Sequence, residues 1–155
     1  MARKQNRETV DDATDGLDRV RVIFLVLTAV FALAGLADAT YLTAAHLSGA
    51  TSVCGESQGC SVVLGSPYSS IRGIPTAALG MLGYFGAFTA ATLAAFGYAR
   101  ARTWLALIGT VMFVGTLWFL YLQQFVLHAF CPFCLFSAAV TFCLAGLVVA
   151  NPRSK

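Results

Sequence analysis

Charge is what this sequence has least of. Only 11% of its 155 residues are Asp, Glu, Lys or Arg, against 58% hydrophobic. From Thr103 to Pro152 none of the four occurs. A soluble domain carries about 25% charged residues to cover its surface, so the apolar excess here must face lipid. A basic stripe with interleaved aromatics is also missing, which removes the nucleic-acid-binding classes. Cysteine is scarce as well. Five are too few for a small disulfide-stapled scaffold in a largely intramembrane chain, but enough for a redox relay.

What remains is apolar and segmented. Met1 to Asp18 mix both signs without apolar periodicity, and residues 1–21 are expected to be a disordered tail. Acidic residues interrupt this start and the run behind it is too long for a cleaved leader. Four spans are expected, at about 22–46, 74–98, 103–128 and 131–150, the first long enough to cross a hydrocarbon core of roughly 30 Å. Residues 151–155 form a short tail. The fold class is therefore an all-α membrane protein, a four-transmembrane-helix bundle over residues 22–150. Its longest polar interval, Ser48 to Gly73, forms a loop between helices 1 and 2. Pro75 is expected at the first position of the second span. Gly80, Gly83 and Gly86 fit close approach of a neighbouring helix as well as simple tolerance. Ala99-Arg100-Ala101-Arg102 reads as a basic turn.

Orientation follows from the basic residues. Of ten Lys and Arg, nine lie in the two tails or at Arg100 and Arg102; Arg72 alone lies in the other compartment. The positive-inside rule places both termini in the cytoplasm of a cell (inner) membrane protein. The loop holding Cys54 and Cys60 then shares the extracytoplasmic side with Cys131, where disulfides persist.

Cys131-Pro132-Phe133-Cys134 heads the fourth span. Thiols three apart on a helix share a face, and such a pair closes a reducible disulfide. At the first turn of a helix the unpaired N–H groups favour a thiolate. Zinc held by this pair with Cys54 and Cys60 is the weaker alternative, since the loop spacing is wide for a metal knuckle. Cys54 and Cys60 flank a glycine-bearing polar segment. They read either as a static disulfide or as a shuttle between a soluble partner and Cys131. Cys143 is expected to be a small buried apolar residue without a redox role. For electrons leaving Cys134, a lipid-soluble two-electron acceptor is needed, and a quinone is the commonest in membranes.

The ordered set Cys54…Cys60, Ser66 six residues on, Gly73-Ile74-Pro75 opening a span, and Cys131-x-x-Cys134 heading the last one resembles the vitamin K epoxide reductase family. It looks most like its bacterial thiol-oxidising members, over roughly Val22 to Ala150. The resemblance implies that Cys54 takes electrons from a reduced thioredoxin-fold (DsbA-like) partner. Cys60 would form a transient mixed disulfide with Cys131, and Cys134 would react with a quinone of menaquinone or ubiquinone type. Ser66 matches a serine near the family's quinone pocket, though a turn or cap role is equally open. Ser137-Ala138-Ala139 stands where animal members have Thr-Tyr-Ala, which argues against epoxide reduction of the animal type. No fused thioredoxin domain follows the fourth span, so the partner is expected to be a separate protein. A DsbB-type oxidase performs the same net reaction, but its Cys-x-x-Cys precedes its loop pair.

Asp38 lies well inside the first span, where a carboxylate is expensive. It is expected to hydrogen-bond within the bundle, with a proton path to quinone as the functional alternative. His46, His128, Tyr41, Trp104 and Tyr121 read as interfacial residues, with proton transfer a lesser possibility for the histidines. Arg72 offers a positive charge to an acidic partner or a headgroup.

Overall fold

The computed structural model describes residues 2–48, 58–71 and 73–151. The first helix, α1, runs Ala2–Leu47. It begins far earlier than the span expected from 22, and the stretch read as a disordered tail continues the helix. The reason is local: no proline occurs before Pro67, and Ala, Arg, Lys, Gln and Glu propagate a helix once the long apolar segment has nucleated it. Arg21 pairs with Asp18 one turn away at 3.2 Å.

The polar interval after α1 is more structured than the expected loop. A short helix, α2, spans Gln58–Leu64. Cys60, Val63 and Leu64 give it one inward face at i, i+3 and i+4, with Cys60 and Val63 buried. A 3-10 turn at Pro67–Ser69 follows. Two-residue strands β1 (Ser70–Ile71) and β2 (Ile74–Pro75) then pair antiparallel, Ser70 opposite Pro75 and Ile71 opposite Ile74.

Helix α3 runs Thr76–Ala95, so Pro75 precedes it as the N-cap and does not occupy its first turn. It ends on Gly97 in the left-handed region, φ 91°. The Gly97 N–H bonds the Ala94 carbonyl and the Tyr98 N–H bonds the Leu93 carbonyl, both at 3.1 Å, a Schellman stop. The turn therefore falls at residues 96–98. Arg100 and Arg102, expected in a turn, lie in the first turns of α4, Ala99–Tyr121. That helix widens into a π-turn at Leu122–Val126, and α5 runs Pro132–Ala150.

Four helices, Asp18–Leu47, Thr76–Ala95, Ala99–Val126 and Pro132–Ala150, are long and apolar enough to cross a membrane. They pack as a ring, α1 against α3 and α5, and α4 against the same two. The core between them is rich in small side chains: Ala32, Ala39, Ala87, Ala91 and Ala94 are buried beside Tyr84, Leu105 and Leu144. Small residues let helices approach closely where no hydrophobic drive separates protein from lipid. A Cβ on Gly83 would lie 3.0 Å from the Met112 sulfur and one on Gly86 3.2 Å from Ile108, so these two glycines do set the α3–α4 approach. Hydroxyls along the spans turn back on their own helix. Thr28, Thr40, Thr43, Thr89, Thr92 and Thr110 each donate to the carbonyl four residues earlier, which satisfies them without water. The outer surface is apolar, with Val26, Leu82, Val111 and Trp118 exposed.

Candidate functional site

The site is assembled at the end of the bundle where α4 runs out and α5 begins. The π-turn is closed by the Leu127 N–H on the Leu122 carbonyl at 2.9 Å, the wider i→i+5 register often found at functional positions. It turns Gln123 inward, to 1% exposure. From there Gln123 holds the connecting strand twice. Its backbone carbonyl accepts the Ala129 N–H at 3.2 Å, and its side-chain Oε1 accepts the Cys131 N–H at 3.1 Å. His128, just before Ala129, takes a positive φ of 47°. Pro132 at the first helical position then commits the chain to α5.

Cys131 is the N-cap of α5. Its sulfur accepts the Cys134 N–H at 3.4 Å. The thiol is held below the ordinary range, at about 7. The Cys134 thiol hydrogen bond is the largest cause, and the N–H groups of Cys134 and Phe133 add to it. Burial and the Asp38 carboxylate pull the other way. A sulfur among unpaired N–H groups at a helix start is a favoured place for negative charge.

Helix α2 brings Cys60 to the same place. Cys60 and Cys131 are both fully buried, in one cluster with Val63 and packed by Leu64, Leu127 and Phe133. The approach is close enough that a Cβ on Gly59 would run into the Phe130 carbonyl. Cys60 is disulfide-bonded, whereas Cys131, Cys134 and Cys143 are free. Cys54, the other residue of the expected loop pair, lies outside the described residues, as does Arg72.

Cys134 faces a different space. It lines a cavity of about 640 Å³ between the spans, together with Asp38, His46, Tyr84, Gln123 and Ser137. The remaining walls are mostly apolar, including Leu42, Ile108 and Met112. Tyr84 is 1% exposed, and its hydroxyl lies 2.8 Å from the Ser137 carbonyl, the Ser137 Oγ and the Thr141 Oγ1. Gly35 lies flat against its ring, with no room for a Cβ. Asp38 Oδ2 is buried without a hydrogen-bond partner among the described residues.

Three residues singled out by the sequence lie off the cavity wall. Ser66 is not part of the cavity wall; its buried hydroxyl donates to the Val63 carbonyl at 2.8 Å, a turn-closing role. Cys143 is exposed on the outer face of α5, which corrects the expectation of a buried position. Nine residues beyond Cys134 place it on the side of the helix facing away from the bundle. His128 is exposed, while His46 lines the cavity.

Gln123 and Tyr84 were not singled out by the sequence. Gln123-Gln124 is the polar pair in an otherwise apolar run just before the Cys-x-x-Cys, a signal open to notice. Tyr84 carried none, because its partners lie on another helix. The sequence matches the family model described as "Vitamin K epoxide reductase family" over residues 26–149.

Proposed function

The chain belongs to the vitamin K epoxide reductase family, and we propose that within it the protein is a thiol oxidase, moving two electrons from a soluble dithiol partner to a quinone in the membrane. Members of the family are membrane oxidoreductases and generally use quinones. The observation that carries the finer reading is the order of the sulfurs. Cys60 packs beside Cys131 in one buried cluster, and Cys134, one turn on, lines the cavity.

The cavity fits a quinone ring. It is apolar, of ligand size, and has a few convergent polar groups, the usual makeup of a small-molecule site. Cys134, Tyr84, Ser137 and Asp38 are the polar groups that would surround the ring. Bound there, a quinone supplies a sink for two electrons and two protons and leaves as the quinol.

The chain's own residues do the rest. A reduced thioredoxin-fold partner, a separate protein, gives up its two thiol hydrogens to a Cys54–Cys60 disulfide and departs as a disulfide. Cys60 thiolate then attacks the Cys131–Cys134 disulfide at Cys131 and releases Cys134 as thiolate. Cys54 attacks Cys60, re-forming the loop disulfide and releasing Cys131. Thiolate stabilisation at the N-cap makes Cys131 a good leaving group. Cys131 and Cys134 are then both reduced while Cys60 is in disulfide linkage, the combination described above. As the pair re-oxidises, its two electrons leave from Cys134 into the cavity. Asp38, with one oxygen unpartnered, holds a proton at the same place. The distribution of Lys and Arg supports a topology with both termini in the cytoplasm and the thiols on the extracytoplasmic face.

Trapping tests the relay. In Cys134→Ala, quinone turnover with reduced partner is lost and peptide mapping finds a Cys60–Cys131 disulfide. Full turnover in that variant sinks the mechanism, and a Cys54–Cys131 link alone reverses the order of the loop pair.

A further inference from the structure

A second hollow lies between α4 and α5 at the end of the bundle opposite the cysteines, with a volume of about 700 Å³. Its walls are apolar: Leu105, Gly109 and Phe113 of α4 stand across from Phe142, Gly146 and Val149 of α5. Phe142 and Val149 on its rim are exposed, so the hollow opens toward the lipid. Its end is polar. Arg102, from the first turns of α4, and Asn151, the cap of α5, both belong to the wall. Arg21 at this end is paired with Asp18, whereas Arg102 has no ion pair among the described residues. The Asn151 N–H is satisfied by the Leu147 carbonyl at 3.0 Å, but its side-chain Oδ1 is buried without a partner among the described residues.

The site thus offers an apolar trough, with one cation and one acceptor that are unpaired among the described residues. We propose that it binds a single anionic phospholipid with a hydroxylated headgroup, of the phosphatidylglycerol class. One acyl chain lies in the trough, the phosphate meets Arg102, and a headgroup hydroxyl donates to Asn151 Oδ1. Basic pockets between transmembrane helices recognise anionic headgroups in this way. A choline headgroup brings a second cation to Arg102 and no donor for Asn151. The apolar face of a second copy of the chain fills the trough but leaves both polar groups unanswered. This site is independent of the redox reading, since it shares no wall residue with the cavity at Cys134.

The test uses the full chain, delipidated in detergent, titrated by native mass spectrometry with phosphatidylglycerol, with phosphatidylcholine of the same acyl chains, and with inorganic phosphate. One phosphatidylglycerol per chain is expected, about fivefold tighter than phosphatidylcholine. Arg102→Gln removes that preference, and Arg100→Gln, at an exposed neighbour, keeps it. A Cβ on Gly146 meets nothing within 4 Å, so Gly146→Leu fills the trough without disturbing the helices and expels both lipids. Equal affinity for the two lipids overturns the proposal. So does equal loss in the two arginine variants, which is diffuse surface charge, or phosphate binding as tight as the lipid's, which is a free-anion site.

Discussion

Gln123 Oε1 accepts the backbone N–H of Cys131 at 3.1 Å, so a side chain of the π-turn fixes the start of the next helix and the sulfur that caps it. Both residues are buried, and water does not replace the bond. Gln123→Leu keeps the volume but leaves the N–H unpaired, a loss of about 1–3 kcal/mol. Gln123→Glu retains an acceptor and is expected to retain most of the stability. Thermal unfolding of the two variants in the same detergent checks this. Equal midpoints for Leu and wild type would show that the bond contributes nothing.

The Cys131 thiol, held at about 7 mainly by the Cys134 thiol, gives the reduced protein a pH-dependent reactivity. Above this value free Cys131 is thiolate and reacts readily with a thiol reagent. As the pH falls through it, the thiolate fraction drops, tenfold for each unit below. Alkylation of Cys131 in the reduced protein is therefore expected to slow on the acid side of about 7, and Cys134→Ala moves the inflection upward by removing the largest cause. Ultraviolet thiolate absorbance of the reduced protein, titrated in wild type and variant, reads both values. An unchanged inflection in the variant would mean that the helix N–H groups alone set it.

The bundle was legible because lipid leaves so strong a mark on composition: four apolar runs, with basic residues at one set of ends, leave few other folds open. The thiols of the last helix were legible for a similar reason, since their three-residue spacing is local. What escaped was either long-range or competed with a local signal. Tyr84 reaches Ser137 and Thr141 across the bundle, and nothing near position 84 announces those partners. The charged segment before Asp18 looked like a tail, yet helix propensity and a neighbouring nucleus extend α1 through it. Gly97, not the arginines, ends α3, because only its φ of 91° permits the Schellman stop. Ser66 resembles a ligand by position, and in the structure its hydroxyl donates to the Val63 carbonyl.

Asp38 is the carboxyl group in the wall that Cys134 shares, its Oδ2 has no hydrogen-bond partner among the described residues, and in the proposed function that partner is the quinone. A residue kept there for packing alone is expected to tolerate an isosteric amide. A proton donor is not, because Asn preserves shape and hydrogen bonding while giving up no proton. Asp38→Asn is therefore expected to slow quinol formation about a hundredfold, within the usual range for a lost general acid. In the proposed relay, electron transfer from the loop to Cys131 and Cys134 comes before the cavity and is expected to proceed at the wild-type rate. Rapid-mixing measurements separate the two steps, following partner oxidation in the absence of quinone and quinol appearance in its presence. Slowing of both steps alike would assign Asp38 to the packing of α1, and an unchanged rate of quinol formation would remove it from proton transfer.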